Sequence, residues 1–190
     1  MRCILCERLS FSFVCKECKE KFLTPSFYRR SLRDFEVFSF YKYSEIENLL
    51  NLKHTLLGYF IYNILAKNSF LPFSKEFKTD FPVFALPIDD IPYSGYSHTA
   101  ILAKYLKSKN IKPVFHSLIA SNRVIYRGKS LDFRLKNPRK FQYLFKREID
   151  VILIDDVVTT GSTLKEAFWT LKKYDVNVLF ALTITNARDK

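Results

Sequence analysis

Two adjacent acids, Asp155 and Asp156, follow the apolar run Val151 to Ile154. After Val157 and Val158 comes Thr159-Thr160-Gly161-Ser162-Thr163, a cluster of hydroxyls around one of only four glycines in the chain. Carboxylates accept hydrogen bonds from hydroxyl groups and repel phosphate. A glycine lets backbone N–H groups approach an anion closely, and a helix N-terminus adds a positive dipole. A ligand matching both halves carries hydroxyls at one end and a phosphate at the other, as ribose 5-phosphate does. The plainer reading of the acids is that they cap a turn. Neither the G-x4-G-K-[ST] loop nor the G-x-G-x-x-G fingerprint occurs here, so the two commonest nucleotide cradles are excluded.

The elements that must position this stretch are legible on either side of it. Val151 to Ile154 reads as a strand covered on both faces. Leu164, Ala167, Phe168 and Leu171 form a helical stripe, and residues 176–184 read as the next strand. Upstream, residues 35–43 and 81–90 read as strands, the latter through Leu86-Pro87-Ile88. Residues 112–118 read as another. Between them, a capping box of Ser44 and Glu47 opens a long amphipathic helix carrying Ile46, Leu49, Leu50, Leu57, Phe60, Ile61, Ile64 and Leu65, with Lys53 and His54 partway along. A second helix starts near Ser97 or Thr99 and ends at Asn110. Alternating strands and helices predict an α/β fold with a mainly parallel sheet, in which ligands sit at the carboxyl ends of strands. The turns after Leu86 and Ile154 are therefore the places for a site.

All four cysteines lie within the first 18 residues, as Cys3-x2-Cys6 and Cys15-x2-Cys18. Two such knuckles supply a closed site of four thiolates, which suits structural zinc; a cysteine count alone also fits an iron–sulfur cluster. Two disulfides would need an oxidising compartment, and MRCILCERL lacks the apolar core of an export signal. Residues 11–14 read as the returning strand of a hairpin. The segment is too short for a core of its own, so the metal would supply its folding energy. The expected organisation is a four-cysteine module over residues 1–24 and an α/β domain over 35–190.

At 48% hydrophobic and 16% aromatic content, a chain of 190 residues supports a real core. No apolar run reaches the roughly 20 residues of a membrane helix, which predicts a soluble, cytoplasmic protein. The net charge is +12, and residues 123–147 hold nine Lys or Arg against one acid, Asp132. Such an excess suits an anionic partner, though a charge run is also an ordinary solvated face. Tyr126, Phe133, Phe141, Tyr143 and Phe145 interleave these cations. Cations alternating with aromatics suit single-stranded nucleic acid, while aromatics equally serve as core. Arg2, Arg8, Lys16, Lys19 and Lys21 near the cysteines could touch nucleic acid or offset the thiolate charge.

VILIDDVVTTGST resembles the ribose-phosphate signature of type I phosphoribosyltransferases. The wider order of features resembles the ComF family of competence-associated, phosphoribosyltransferase-like proteins. It runs from a double C-x2-C through Lys53, Leu86-Pro87-Ile88 and GYSHTAILAK to Arg134-x2-Asn137 and then the signature. The resemblance implies a type I phosphoribosyltransferase-like fold with an N-terminal zinc finger. It implies that Asp155 and Asp156 bind the ribose 2- and 3-hydroxyls of phosphoribosyl pyrophosphate. Thr159, Thr160, Gly161, Ser162 and Thr163 would hold the 5-phosphate, and magnesium would bridge pyrophosphate and ribose oxygens. Pro87, Arg123, Arg127, Lys129 and Arg134 are the implied pyrophosphate or DNA contacts, and Cys3, Cys6, Cys15 and Cys18 the zinc ligands. The biological role implied is natural transformation. Incoming single-stranded DNA is handled on its way into the cytoplasm, beside other DNA-uptake proteins, by a cytoplasmic protein that works peripherally at the inner membrane. The alternative implied is an active, magnesium-dependent transferase. Where that family carries arginine-glycine-phenylalanine-asparagine, this chain reads Ser94-Gly95-Tyr96-Ser97, without the arginine; its glutamine before the R-x2-N element is Arg127 or Lys129 here.

Overall fold

The computed structural model describes residues 1–88, 95–122, 130–145 and 147–187, with backbone only at 131, 134 and 135. The cysteine knuckles lead into helix α1 (Lys16–Phe22). Strands β1 (Tyr28–Ser31) and β2 (Glu36–Lys42) follow, then helices α2 (Tyr43–Leu50), α3 (Leu56–Asn68) and α4 (Phe70–Glu76). Next come β3 (Val83–Pro87), α5 (His98–Tyr105), β4 (Ile111–Pro113), β5 (Leu118–Ala120), α6 (Leu131–Lys136) and β6 (Phe141–Tyr143). The chain closes with β7 (Asp150–Val158), α7 (Ser162–Lys172) and β8 (Asn177–Asn186).

Six strands form one sheet in the order β1-β2-β8-β7-β3-β4, parallel except for the β1–β2 pair. This is the mainly parallel α/β fold expected, with β7 at its centre and β7–α7–β8 as one crossover unit. β5 and β6 pair antiparallel as a separate ribbon. One apolar cluster joins Ile152 and Ile154 of β7 to Ile61, Tyr62 and Leu65 of α3. The other joins Val151 and Leu153 to Leu164, Ala167 and Phe168 of α7. Both faces of β7 are thus covered, which is why its sequence is an unbroken apolar run.

The helix expected from Ser44 onward is two helices. Lys42, not Ser44, stands at the first cap, where its N–H donates to Glu45 Oε2 at 3.1 Å. The chain then turns over residues 51–55 and restarts at Thr55, which is extended (φ −109°, ψ 165°) and whose hydroxyl accepts from Gly58 N–H. A continuous helix would set Lys53 on the stripe of Leu49, Leu50 and Leu57, because residues three and four apart share a face. Burying an ammonium among leucines is costly. The break takes Lys53 off that stripe and leaves Leu57 and Phe60 partly exposed at 39% and 40%.

Other boundaries moved for local reasons. The strand expected over 112–118 is split into β4 and β5 by a turn in which His116 takes φ 53°. The second helix begins where Ser97 caps it, accepting from Ala100 N–H at 3.1 Å. It ends at Tyr105 rather than Asn110, whose amide instead donates to Thr79 O at 2.7 Å. Residues 11–14 form bends and no strand; Ile4 N–H reaches Phe13 O at 2.8 Å, and the one β-bridge here joins Arg2 to Leu9. Phe13 packs on Phe60 in a tilted arrangement with ring centroids 4.7 Å apart, and Cys3, Val14, Cys18 and Leu23 belong to the same core cluster as α2 and α3. No helix among the described residues is long and apolar enough to cross a membrane.

Candidate functional site

Strand β3 ends in register with the apolar part of β7: Pro87 pairs with Ile154, and Ile88 N–H closes on Ile154 O at 2.9 Å. β7 continues four residues further, paired only with β8 through Asp155, Val157 and Val158. The two acids therefore lie within the strand rather than in a turn after it, where its β3 side has been vacated. Pro87, which cannot donate a ladder hydrogen bond, occupies the end of β3 beyond its pairing with β4.

Side chains alternate across a strand, so the two acids face opposite sides of the sheet. Asp156 shares the side of Ile152 and Ile154 and is buried. Its Oδ2 accepts from Lys53 Nζ at 3.0 Å and from the Tyr62 hydroxyl at 3.0 Å. Lys53 is held by the turn that interrupts the helix; the Tyr96 hydroxyl donates to the Lys53 carbonyl and, at 3.2 Å, to that of Thr55. Burial opposes the charge on Asp156, but Lys53 and Tyr62 hold its carboxyl well below the usual carboxylate range. Lys53 is raised in turn, chiefly by Asp156.

Asp155 differs. Its Oδ1 accepts from Asp156 N–H at 2.8 Å, but burial and the neighbouring Asp156 charge push its carboxyl up to about 7. The pair thus joins a fixed carboxylate to one that titrates near neutrality. His98, at the start of α5, packs against Tyr62 (ring centroids 5.4 Å) and His54 (5.7 Å). Burial lowers it to about 4, so its ring is neutral at physiological pH. The His98 Nδ1 atom is buried and has no hydrogen-bond partner among the described residues.

Three residues beyond Asp156, the Thr159–Thr163 turn enters α7. Gly161 takes φ 77°, the left-handed region where a side chain is strained, and stands at the helix N-cap. A Cβ there would lie 2.7 Å from Leu32 Cδ1. The Thr160 and Ser162 hydroxyls lie 3.0 Å apart, and Thr160 Oγ1 accepts from Ser162 N–H at 3.3 Å. The first N–H groups of a helix lack intrahelical partners, so the turn sets hydroxyls beside the positive end of the α7 dipole.

Among the residues singled out from sequence, the structure brings Asp155, Asp156, Pro87 and Thr159–Thr163 to the carboxyl ends of β3 and β7. Arg123, Arg127, Lys129 and the Arg134 side chain lie outside the described residues. Asn137 ends α6, its amide donating to Phe133 O at 2.9 Å. Phe141 and Tyr143 are core residues rather than stacking platforms, and Phe145 packs against the same core with the Arg147 guanidinium 4.9 Å from its ring centroid. Sequence reading gave no role to Tyr62 or Arg139. Arg139 is buried, burial lowers its pKa, and Asp155, Asp156 and Glu166 oppose that shift. Its backbone is clamped, because Glu166 of α7 accepts from the N–H groups of Arg139 (3.0 Å) and Lys140 (2.7 Å). Nothing local marks these residues; each is brought in by packing.

At the N-terminus, the four cysteine sulfurs lie within 4.8 Å of one another, and none is in a disulfide. Cys6 and Cys15 sulfurs are 3.7 Å apart, close to the roughly 3.8 Å expected across a tetrahedron of 2.3 Å zinc–sulfur bonds. Burial disfavours the Cys3 thiolate, yet N–H groups of Cys15, Cys6 and Leu5 outweigh it and bring the thiol down to about 6. The donor set fits a closed four-thiolate metal site.

No family model and no curated protein matches the sequence. Among solved structures, the chain is similar to a hypoxanthine phosphoribosyltransferase from Staphylococcus aureus, with TM-score 0.39 and 18% identity over 66% of this chain and 62% of that one. It is also similar to an adenine phosphoribosyltransferase, with TM-score 0.41 and 13% identity over 88% of each chain. The chain thus spans less than two thirds of the hypoxanthine enzyme's length.

Proposed function

We propose that the protein binds phosphoribosyl pyrophosphate at the carboxyl end of β7. The observation that carries this reading is the spacing of an acid pair, Asp156 buried and Asp155 half-buried, and a left-handed glycine turn at a helix start, on one continuous strand–turn–helix. Asp155 and Asp156 accept the ribose hydroxyls. The two described side-chain bonds to Asp156 both fall on Oδ2, and a carboxylate has a second oxygen for the sugar. Lys53 fixes the charge and rotamer of Asp156, and Thr159–Thr163 receive the 5-phosphate. Magnesium supplies charge neutralisation at the pyrophosphate when bound. Arg123, Arg127, Lys129 and Arg134 serve the pyrophosphate or DNA, and Cys3, Cys6, Cys15 and Cys18 hold a structural zinc.

The biological role proposed is DNA uptake in natural transformation. It rests on the resemblance to the ComF family and on the basic segment 123–147. With Phe141 and Tyr143 in the core, that support comes from the cations more than from base stacking. A second reading, phosphoribosyl transfer to an acceptor, is favoured by Asp155, whose pKa of about 7 suits a general base near neutral pH. Thermal denaturation with magnesium and phosphoribosyl pyrophosphate tests the binding reading. The midpoint should rise with ligand and stay put with magnesium pyrophosphate alone. Equal shifts for both would remove the ribose from the account. Pyrophosphate release across nucleobases, with and without single-stranded DNA, then separates transferase from binding protein.

A further inference from the structure

The phosphate turn is held from outside its own β–α–β unit, by a strand 129 positions earlier in the chain. Arg30 sits on β1, opposite Val37 of β2. Its Nη1 donates to the Thr159 carbonyl at 2.6 Å and to Asn186 Oδ1 at 3.1 Å. Asn186 is the last residue of β8, is buried, and pairs with Val158 just before the turn. Two residues after Arg30, the Leu32 side chain occupies the space that a Cβ on Gly161 would need. One short edge strand and the residue just after it therefore meet the first and the third residue of the turn.

The geometry has a consequence for the ligand. A trans peptide is planar, with its C=O and the following N–H pointing in opposite directions. Anchoring the Thr159 carbonyl toward Arg30 turns the Thr160 N–H away from β1. A guanidinium suits this task because one planar nitrogen carries two hydrogens, here matched to two acceptors; a lysine ammonium has no such fixed fork. The guanidinium also brings a permanent positive charge to the rim of a turn that must receive an anion.

We propose that Arg30 is the positioning residue of the phosphate turn. It fixes the Thr159–Thr160 peptide so that its N–H faces the 5-phosphate, and it ties the turn to the end of β8. This rests on reading that turn as the 5-phosphate site. Ribose 5-phosphate is the probe, because it carries the phosphate without the pyrophosphate.

Calorimetric titration of the full chain with ribose 5-phosphate, with the phosphorus NMR shift of the bound ligand as second readout, tests it. Arg30→Met keeps the aliphatic stem and should weaken binding about tenfold, as expected for loss of a charged hydrogen bond. Arg30→Lys should fall between the two and move the phosphorus resonance; it carries the test if Arg30→Met does not fold. Variants that lose thermal stability yet bind as tightly as the parent, with an unmoved resonance, would leave Arg30 a merely structural residue and overturn the proposal. If the parent protein itself fails to bind ribose 5-phosphate, the 5-phosphate reading falls and this inference with it.

Discussion

The acid–hydroxyl stretch and the cysteine knuckle are both short motifs, but they are built in opposite ways. At the end of β7, the groups proposed to face the ligand ride on the central strand of a six-stranded sheet, and every key contact comes from a distant element. Lys53 is 103 positions from Asp156, Tyr62 94, and Arg30 129 from Thr159. In the knuckle, all four sulfurs come from 16 consecutive residues, Cys3 to Cys18, with almost no regular structure to position them. One site is preorganised by packing. The other has four thiol donors in little regular structure, which a bound metal would organise. Even so, the knuckle's buried residues enter the α2–α3 core, and Lys53 sits between those same helices.

Four perturbations bear on that contrast. Metal removal is expected to have the largest effect, because a structural zinc contributes on the order of 10 kcal/mol of apparent folding energy in small metal modules. Metal analysis should give about one zinc per chain, as a four-thiolate site requires. Chelation or Cys18→Ser should lower the unfolding midpoint and loosen α1 and the Phe13–Phe60 contact before the sheet, a sequence that hydrogen exchange can follow. A knuckle indifferent to chelation would erase the contrast.

Asp156→Ala comes next. It leaves Lys53 without its partner and Tyr62 without an acceptor, which costs about 3 kcal/mol for a largely buried pair and less as Lys53 finds water. Denaturant unfolding of Asp156→Ala, Lys53→Met and the double variant measures the coupling. Additive single effects would show that the pair is not built as described.

Gly161→Ala is expected to cost roughly 1–2 kcal/mol from the left-handed conformation alone, and more from the clash with Leu32. Leu32→Ala should relieve part of that extra cost, but not the backbone strain. Failure of the double variant to recover anything would remove Leu32 from contact with the turn.

Asp155→Asn comes last, and its effect is smallest in acid and grows with pH. The folded carboxyl titrates at about 7 against an ordinary value of 3.8, so folding favours its protonated form. That contribution is complete below the unfolded pKa and is lost as pH rises through about 7. The substitution should be nearly neutral for stability at about pH 3.5 and increasingly stabilising up to about pH 8, as thermal scans at both would show. Asp156 has the opposite sign: its depressed pKa contributes stability at neutral pH that is lost on acidification. A parallel response of Asp155→Asn and Asp156→Asn would deny the asymmetry of the pair.

What the sequence revealed follows the same division. The placement of Asp155, Asp156 and the Thr159–Thr163 turn on one strand–turn–helix was legible from local spacing, and the mainly parallel sheet was legible from strand–helix alternation. The Cys3–Cys18 cluster was legible for the same reason. The interrupted helix was only half legible: Thr55 is a good cap, but hydrophobic spacing ran straight through Lys53. That lysine's presence on an apolar stripe was the available signal of a break. Arg30, Tyr62 and Arg139 carry no local mark, because their roles arise only when separate strands and helices pack together.

Titration with magnesium and phosphoribosyl pyrophosphate, comparing the parent protein with the Asp155→Asn, Asp156→Asn double variant, tests the central claim most directly. The account predicts stoichiometric binding to the parent and a loss of at least about tenfold in the double variant, since two charged acceptors are removed. Equal affinity for the two proteins, with both fully folded, would contradict it.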